Sequence, residues 1–456
     1  MKVFTVFLLL LVVSCSSIEN KINQSSNSFV LSNVNILDVE NQKILPSKTI
    51  VIKNGRIDSI VNESSSLALG PYKLLEVIDG DDGYVTPGLI DMHVHMYEKA
   101  AYILTLSHGV THVRILNGVP KQLLWRDNIE LGRQLGSSST VSSPILSGDK
   151  DAPLHHYVET AEEARNAVSE YYSKGYDLIK AYGSLSKETL SAIVEEGKKL
   201  GMPIAKHGPH ASDDMAVLQL TDIQSFEHVE DIYQGPLNYK FAPERLPAII
   251  ADLKVTNVPI TPTLNIYYQV MKLSKDKEGY LATIPKDYTS DIMAFEASIN
   301  QVNRWLEASD KMAAHNQKTF KFLLDITKSL NDNEIPLLVG SDSGVLLSPH
   351  GLATHNEMHL LEKAGLSTFE VLAAATINPA KALNLSHQMG KISEGYKADF
   401  IYSSVNPIQD LSVLIEPEAV VKKGHWYSRE KLKAMRDEAI DSRSFWEELL
   451  VLYEGL

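Results

Sequence analysis

The chain has 456 residues, too many for one ordinary domain and enough for two or three. Its 43 Lys and Arg against 57 Asp and Glu leave a formal charge of −14, which argues against a nucleic-acid partner, whose phosphates need a basic face. Hydrophobic residues at 44% and charged residues at 22% exclude wholesale disorder, and the single cysteine excludes a disulfide framework and any zinc site built on paired cysteines.

Residues 1–14 read MKVFTVFLLLLVVS, one lysine followed by an apolar run and small residues. This is the shape of a secretory signal, and the run is shorter than the roughly 20 residues of a membrane span. It ends at Cys15, the only cysteine. The segment resembles the lipobox of bacterial lipoproteins, which implies lipidation of Cys15 and export to a bacterial membrane, on its periplasmic or outer-membrane face. Residues 16–28 are rich in Ser and Asn and read as a tether, so 1–28 is set apart as signal and tether.

From Phe29 the pattern turns to short strands, at 29–31, 34–37, 49–52 and 57–61. Asn54-Gly55 between the last two reads as a hairpin turn, because both central residues need φ > 0. A matching block near the other end has strands at 398–403 and 419–422, with Lys423-Gly424 as a second turn. One small β-sandwich domain built from both ends of the chain, 29–85 with 390–427, is the expected arrangement.

The middle, 86–389, alternates strand-like and helix-like stretches. Strand candidates fall at 89–95, 111–116, 143–146, 177–182, 203–207, 225–229, 258–263 and 337–342, with helical runs such as 161–172 and 187–200 between them. Eight β/α units in this length make an α/β TIM (β/α)8 barrel. The long helical stretch between strands seven and eight reads as an extra helix or lid. Residues 428–456 form a helix with Leu432, Met435, Ala439, Trp446, Leu449 and Tyr453 near one face, either a docked tail or a contact in a homo-oligomer.

Chemistry concentrates at the strand ends. His93 and His95 are two apart, so on a strand both point to one face, and imidazole suits Zn, Mn, Co or Fe. Alone, such a pair is better explained as ordinary core or surface histidines. Lys180, His207, His228 and Asp342 close four later strands. Leu178 and Ile179 mark the lysine's strand as buried, and lysine is rarely buried without reason.

This order of HxH, Lys, His, His and Asp resembles the binuclear imidazolonepropionase- and prolidase-like group of the amidohydrolase superfamily. The likeness extends to PGLIDMHVH at 87–95, GVTHVR at 109–114, EH at 227–228, GSDSG at 340–344, STFEVLAAATINP at 367–379 and GKISEGYKADF at 390–400. It implies two divalent metal ions, zinc foremost. His93, His95 and Asp342 would hold the more buried one and His207 and His228 the other, with Lys180 bridging as an N-carboxylated lysine. A neutral amine is needed for that carbamate, and burial beside cations lowers a lysine's pKa toward it. The implied reaction is hydrolysis of a C–N amide bond, in a dipeptide, an N-acyl amino acid or a cyclic amide, by a metal-bridging hydroxide, with Asp342 moving the proton. A single-metal deaminase or imidazolonepropionase-type hydrolase is the alternative, and an inactive lipid-anchored binding protein the remote one.

Substrate contacts are less determined. Tyr182 shares the face of Lys180 and could reach substrate or simply pack. Arg114 could grip a substrate carboxylate or form an internal ion pair. His155 and His156 sit after strand three near the expected mouth, Tyr267 and Tyr268 follow strand seven, and His210 and Glu357 read as supporting or surface groups.

Overall fold

The computed structural model describes residues 27–62, 72–152, 154–208, 216–299 and 301–455. The signal, most of the tether, Cys15 and His210 lie outside these residues. In chain order the strands are β1 (Phe29–Asp38), β2 (Lys43–Lys53), β3 (Arg56–Asn62), β4 (Glu76–Pro87), β5 (Leu89–Val94), β6 (Val110–Ile115), β7 (Ser138–Ser147) and β8 (His155–Tyr157). They continue as β9 (Leu178–Ala181), β10 (Ile204–His207), β11 (Ser225–Glu227), β12 (Ile260–Thr261), β13 (Phe400–Ser403), β14 (Ala419–Lys422) and β15 (His425–Ser428).

Strands from the two chain ends share one hydrogen-bonded sheet, ordered β15-β14-β13-β4-β1-β2-β3. Leu31, Val34, Ile36, Ile50, Ile52, Val85, Phe400 and Val421 make its own apolar core. Both expected turns are present, with φ of 52° and 76° at Asn54 and Gly55 and of 50° and 77° at Lys423 and Gly424. The two turns meet: a Cβ on Gly55 would stand 2.8 Å from the Lys423 carbonyl oxygen, so glycine serves both the turn and the approach. Lys422 is buried at the junction and binds Asp399, Thr111 O and Ser138 Oγ, tying this sheet to the barrel.

The second sheet runs β5-β6-β7-β9-β10-β11-β12, all parallel, with β8 paired to the side of β7. Residues 337–343 close it. Leu338 N binds Ile260 O on one side, and Met92 N and His95 N bind Val339 O and Ser343 O on the other. The eighth stave is therefore present although it is short of regular strand geometry. Helices return the chain outside the barrel, as expected at 161–172 and 187–200. Ala161–Ser173 and Lys187–Leu200 start at Thr160 and Ser186, whose hydroxyls accept from the Glu163 and Thr189 amides.

The stretch before the eighth stave is helical, with Leu264–Asp276, Asp291–Ile299 and Asp310–Asp332 its main pieces. The C-terminal tail departs from the expected single stripe. It breaks into Arg429–Asp441 and Phe445–Tyr453. Leu432, Met435 and Ala439 are buried, but Trp446, Leu449 and Tyr453 are exposed, and Val451 and Glu448 take the inner positions. The break at 442–444 rotates the second helix. Arg443 at that break grips the buried Glu98 with two nitrogens, at 2.6 and 2.9 Å. Among the described residues no helix is long and apolar enough to cross a membrane.

Candidate metal centre

The six residues singled out in the sequence converge at the C-terminal ends of the barrel strands. His93, His95 and Asp342 each offer a ligand atom, all within 4.8 Å of one another. The His93 ring lies 4.7 Å from that of His228, which lies 4.4 Å from that of His207. Lys180 is buried, and its charge acts on His93, His207 and His228. Backbone turns swing the side chains inward: His228 and Asp342 have φ of 72° and 51°, a strained region for residues with a Cβ. Glu227 and its neighbour His228 can both face inward for that reason, where a straight strand would send them to opposite sides.

Hydrogen bonding assigns the histidine tautomers. His93 Nδ1 lies 2.9 Å from Glu227 Oε2, so it donates there and leaves its Nε2 lone pair free. His228 Nδ1 lies 2.8 Å from Thr263 Oγ1, whose own proton goes to the Pro262 carbonyl. Thr263 must therefore accept from Nδ1, and His228 Nε2 is the bare nitrogen. His207 reverses the pattern: Nε2 faces Asp231 Oδ2 at 3.3 Å, and the buried Nδ1 has no protein partner. Burial keeps these rings neutral, lowering His93 to about 4 and holding His207 and His228 well below the usual imidazole range.

Lys180 Nζ is buried and has no hydrogen-bond acceptor. Burial, the main cause, lowers its pKa to about 8, with the charge of Arg114 adding to the effect. A lone ammonium in such a place is costly, and a neutral amine is much less so. The donor set fits divalent metal. His93 Nε2 points its lone pair at Asp342 Oδ1 from 3.5 Å, an arrangement that a cation between them would reconcile. The bare nitrogens of His207 and His228 and the unpartnered Lys180 amine offer further ligands on the other side.

Arg114 requires a correction to its expected contact with substrate. It is fully buried below the centre: Nε donates to Met92 O, Nη1 to Ser225 Oγ and Gln224 Oε1, and Nη2 to Glu227 Oε1 at 2.6 Å. No part of its fork remains for a ligand, so the internal ion pair is its role. His155 and His156 part company, as neighbours on a strand do. The His155 ring lies 4.9 Å from Tyr182, whereas His156 turns away to the Tyr171 hydroxyl at 2.6 Å. Tyr182 stacks on His207 at 4.1 Å, and burial pushes its phenol up to about 12. Tyr267 has its phenol hydrogen-bonded with Gln234, whereas Tyr268 packs against Tyr280 and Phe320. Glu357 is buried and accepts from the Leu264 and Asn265 amides, fixing the start of the helix after β12.

Several groups escaped the sequence reading. Asp91 accepts from the amides of His93 and Ser341 and from Thr354 Oγ1, locking the first stave to the eighth. Its position two before His93 was the available signal. Glu227 orients His93 and balances Arg114, and Ser225 two residues earlier marks the same inward face. Glu230 and Asp231 open the short helix Glu230–Gln234 beside the centre. Glu230 Oε1 lies 3.8 Å from His228 Nδ1, and its Oε2 is buried with no hydrogen-bond partner. Burial and then the charge of Asp231 push its carboxyl well above the usual range, and burial pushes Asp231 up to about 7.

Comparison with known proteins gives a family model, described as Amidohydrolase family, that matches residues 84–427. The chain is 22% identical over 413 residues to the 5-methylthioadenosine/S-adenosylhomocysteine deaminase of Carboxydothermus hydrogenoformans, covering 83% of this chain and 85% of that protein. It is 23% identical over 416 residues to an adenine deaminase of a Ruegeria species, covering 89% of this chain but 58% of that protein's length. Among solved structures it is similar to the bottromycin amidohydrolase, with TM-score 0.75, 20% identity and coverage of 92% and 91%. It is also similar to an Xaa-Pro dipeptidase with bound methionine, with TM-score 0.66, 20% identity and coverage of 88% and 100%. At these identities the structural likenesses speak for the fold.

Proposed function

The chain belongs to the amidohydrolase family, and from that premise we propose that it is a binuclear metal-dependent hydrolase of amide C–N bonds in a small peptide, N-acyl amino acid or cyclic amide. The observation that carries this reading is the buried, unpartnered amine of Lys180, whose charge acts on His93, His207 and His228. A neutral Lys180 can add to CO₂, forming an N–C bond and releasing one proton, and the resulting carbamate offers an anionic oxygen to each side. Two divalent cations held there, zinc foremost, would polarise the amide carbonyl and supply an acidified water as nucleophile. Glu227 and Thr263 hold His93 and His228 in the tautomers that such a site requires, and Asp231 lies 3.3 Å from His207 Nε2. Asp342, at the edge of the group, receives the proton of the attacking water and returns it to the leaving nitrogen. Tyr182 and His155 form the wall above His207, where substrate would lie.

A second reading has a specific support. The two curated relatives named above are deaminases, and one matches over most of both chains. A single-metal deaminase would use His93, His95, His207 and Asp342 and leave Lys180 unmodified. Metal analysis of mature protein, combined with assay on a library of dipeptides and N-acyl amino acids, separates the two. Two metals per chain with amide hydrolysis supports the proposal. One metal with ammonia release from aminopurines overturns it.

The N-terminal segment adds a location. We propose export and lipid anchoring at Cys15, on the motif ending in the only cysteine. Cys15→Ala should release the protein from membranes or block its processing. A variant that stays membrane-bound and correctly cleaved refutes the anchor.

A further inference from the structure

We infer that Asn265 is a positioning residue for Asp342: its side-chain amide holds the peptide group that sets the direction of the Asp342 carboxylate. The inference rests on the proposed reaction for the role of Asp342 and concerns what keeps that residue in place.

The first observation is the backbone of Asp342. Its φ of 51° lies in the left-handed region, which a residue with a Cβ keeps only when its surroundings hold it there. The plane that must be held is the peptide group joining Ser341 to Asp342, because turning that plane changes φ of Asp342. It is pinned at both ends. Its N–H donates to His93 O at 2.8 Å, and its C=O accepts from Asn265 Nδ2 at 2.7 Å. One pin comes from β5, the other from the start of the helix Leu264–Asp276 after β12. Held so, the carboxylate stands with Oδ1 2.9 Å from His95 Nε2.

The second is Asn265 itself. It is buried, and both ends of its side chain are engaged: Nδ2 donates to Ser341 O and to Ser348 Oγ, and Oδ1 accepts from Asn356 Nδ2 at 2.8 Å. A carbonyl can only accept, so Ser341 O dictates that the nitrogen end faces it, and Asn356 holds the oxygen end. The backbone amide of Asn265 donates to Glu357 Oε2 at 2.7 Å, and that of Leu264 to Oε1, so the whole turn is tied to the helix Leu352–Ala364.

The third is its place in the chain. Asn265 stands two residues after Thr263, whose hydroxyl sets the tautomer of His228. One short turn therefore orients a ligand on the second-metal side and clamps Asp342 on the other. Without the Asn265 amide the buried Ser341 carbonyl loses this donor, and a turn of the peptide group would relieve φ of Asp342 and swing its carboxylate away. A misplacement of about 1 Å at a group that carries the proton costs on the order of a hundredfold in rate.

The test uses cobalt(II)-loaded protein, because the visible absorption of cobalt reports the geometry of its ligands whether or not the enzyme turns over. Asn265→Ala should shift that spectrum. It should also lower kcat for a dipeptide at least about a hundredfold and leave KM within about threefold. Ser348→Ala removes the other partner of the same amide and spares the clamp on Ser341. It may cost as much in thermal stability, yet spectrum and kcat should match the parent. Asn356→Ala frees the oxygen end of the amide and should move both readouts in the same direction by less. That variant decides the matter if Asn265→Ala does not fold. An unchanged spectrum in Asn265→Ala and Asn356→Ala, a parental kcat in both, or an equal change in Ser348→Ala overturns the inference. A parent that hydrolyses no amide, with the spectral shifts as stated, instead overturns the proposed reaction and leaves the positioning of Asp342 standing.

Discussion

The barrel interior holds two polar layers that differ in how completely they satisfy themselves. In the lower layer Arg114, Glu227, Ser225 and Gln224 form a closed network, with all three guanidinium nitrogens engaged. In the upper layer Lys180 Nζ and His207 Nδ1 are buried without partners, and Asp342 faces a bare imidazole nitrogen. Lys180 in the upper layer is as removed from water as Arg114 and Glu227 in the lower one, although His95 and His207 beside it are partly exposed. Burying an ion is tolerable only when its partners are built in, as for Arg114. Where they are left out, the fold keeps a debt that something else must settle, and the donor set of the upper layer identifies metal as the natural creditor. The lower layer also serves the upper one, because Glu227 spans both and orients His93.

The sharpest way to break this comparison is to remove the upper cation. Lys180→Ala should lose binuclear metal occupancy and reduce hydrolysis by several orders of magnitude. Bicarbonate or a short carboxylate such as acetate or propionate should restore part of both, by entering the gap and supplying two oxygens. Lys180→Arg should gain nothing from such additives, because guanidinium stays charged and fills the space. Asp342→Asn should retain at least one metal and still lose turnover on a similar scale, since an amide cannot relay the proton. Metal content and rate, measured together, decide the matter. Two metals and near-normal rate in Lys180→Ala would show that the upper layer was never open.

Stability of the metal-free protein separates the layers next. Arg114→Met strands Glu227 and should cost about 3–5 kcal/mol, the usual penalty for breaking a buried pair. Lys180→Met should instead stabilise the metal-free protein at neutral pH, because it removes an ion with no partner. The sign can be checked by pH. With Lys180 lowered from 10.5 to about 8 on folding, the unfolded chain binds more protons between those values. Stability therefore rises with pH through that window, by roughly 3 kcal/mol. The rise should be absent in Lys180→Met. Chemical denaturation of both proteins at pH 8 and above measures it, and parallel curves would place a hidden partner beside Lys180.

Much of this was legible in the chain itself. The strands announce themselves as short apolar runs that end in a polar residue, and the spacing of His93 and His95 reports their shared face. Lys180, His207, His228 and Asp342 stand out because charged or metal-binding side chains close buried strands. The lower layer was hidden because its pairing is long-range: Arg114 and Glu227 are 113 residues apart and meet only across the barrel. An inward-facing arginine looks the same in sequence whether its partner is protein or substrate. The divergence of His155 and His156 depends on β8, a three-residue strand too brief to show a pattern. The tail misled because its apolar residues keep a helical spacing across a break that rotates the helix, at Ser442-Arg443-Ser444.

The smallest expected effect concerns how the upper layer is held open. Thr263 has φ of 51°, unfavourable for a β-branched residue, and this conformation sets its hydroxyl 2.8 Å from His228 Nδ1. The hydroxyl donates to Pro262 O, so its lone pair is what fixes the proton on Nδ1 and leaves Nε2 bare. Thr263→Ala removes that acceptor without adding bulk, and relieves the backbone at the same time. Folding stability should therefore hold or rise slightly, while affinity for the second metal falls about tenfold, the lower end of what losing such an outer partner costs. Thr263→Ser keeps the hydroxyl and should keep the affinity. Competition with a chelator of known strength reads the difference, and denaturation of the same samples shows whether stability moved. If alanine and serine bind metal equally well, the hydroxyl does not choose the tautomer. Thr263 would then be a strained turn residue, and the openness of His228 would have to come from burial alone.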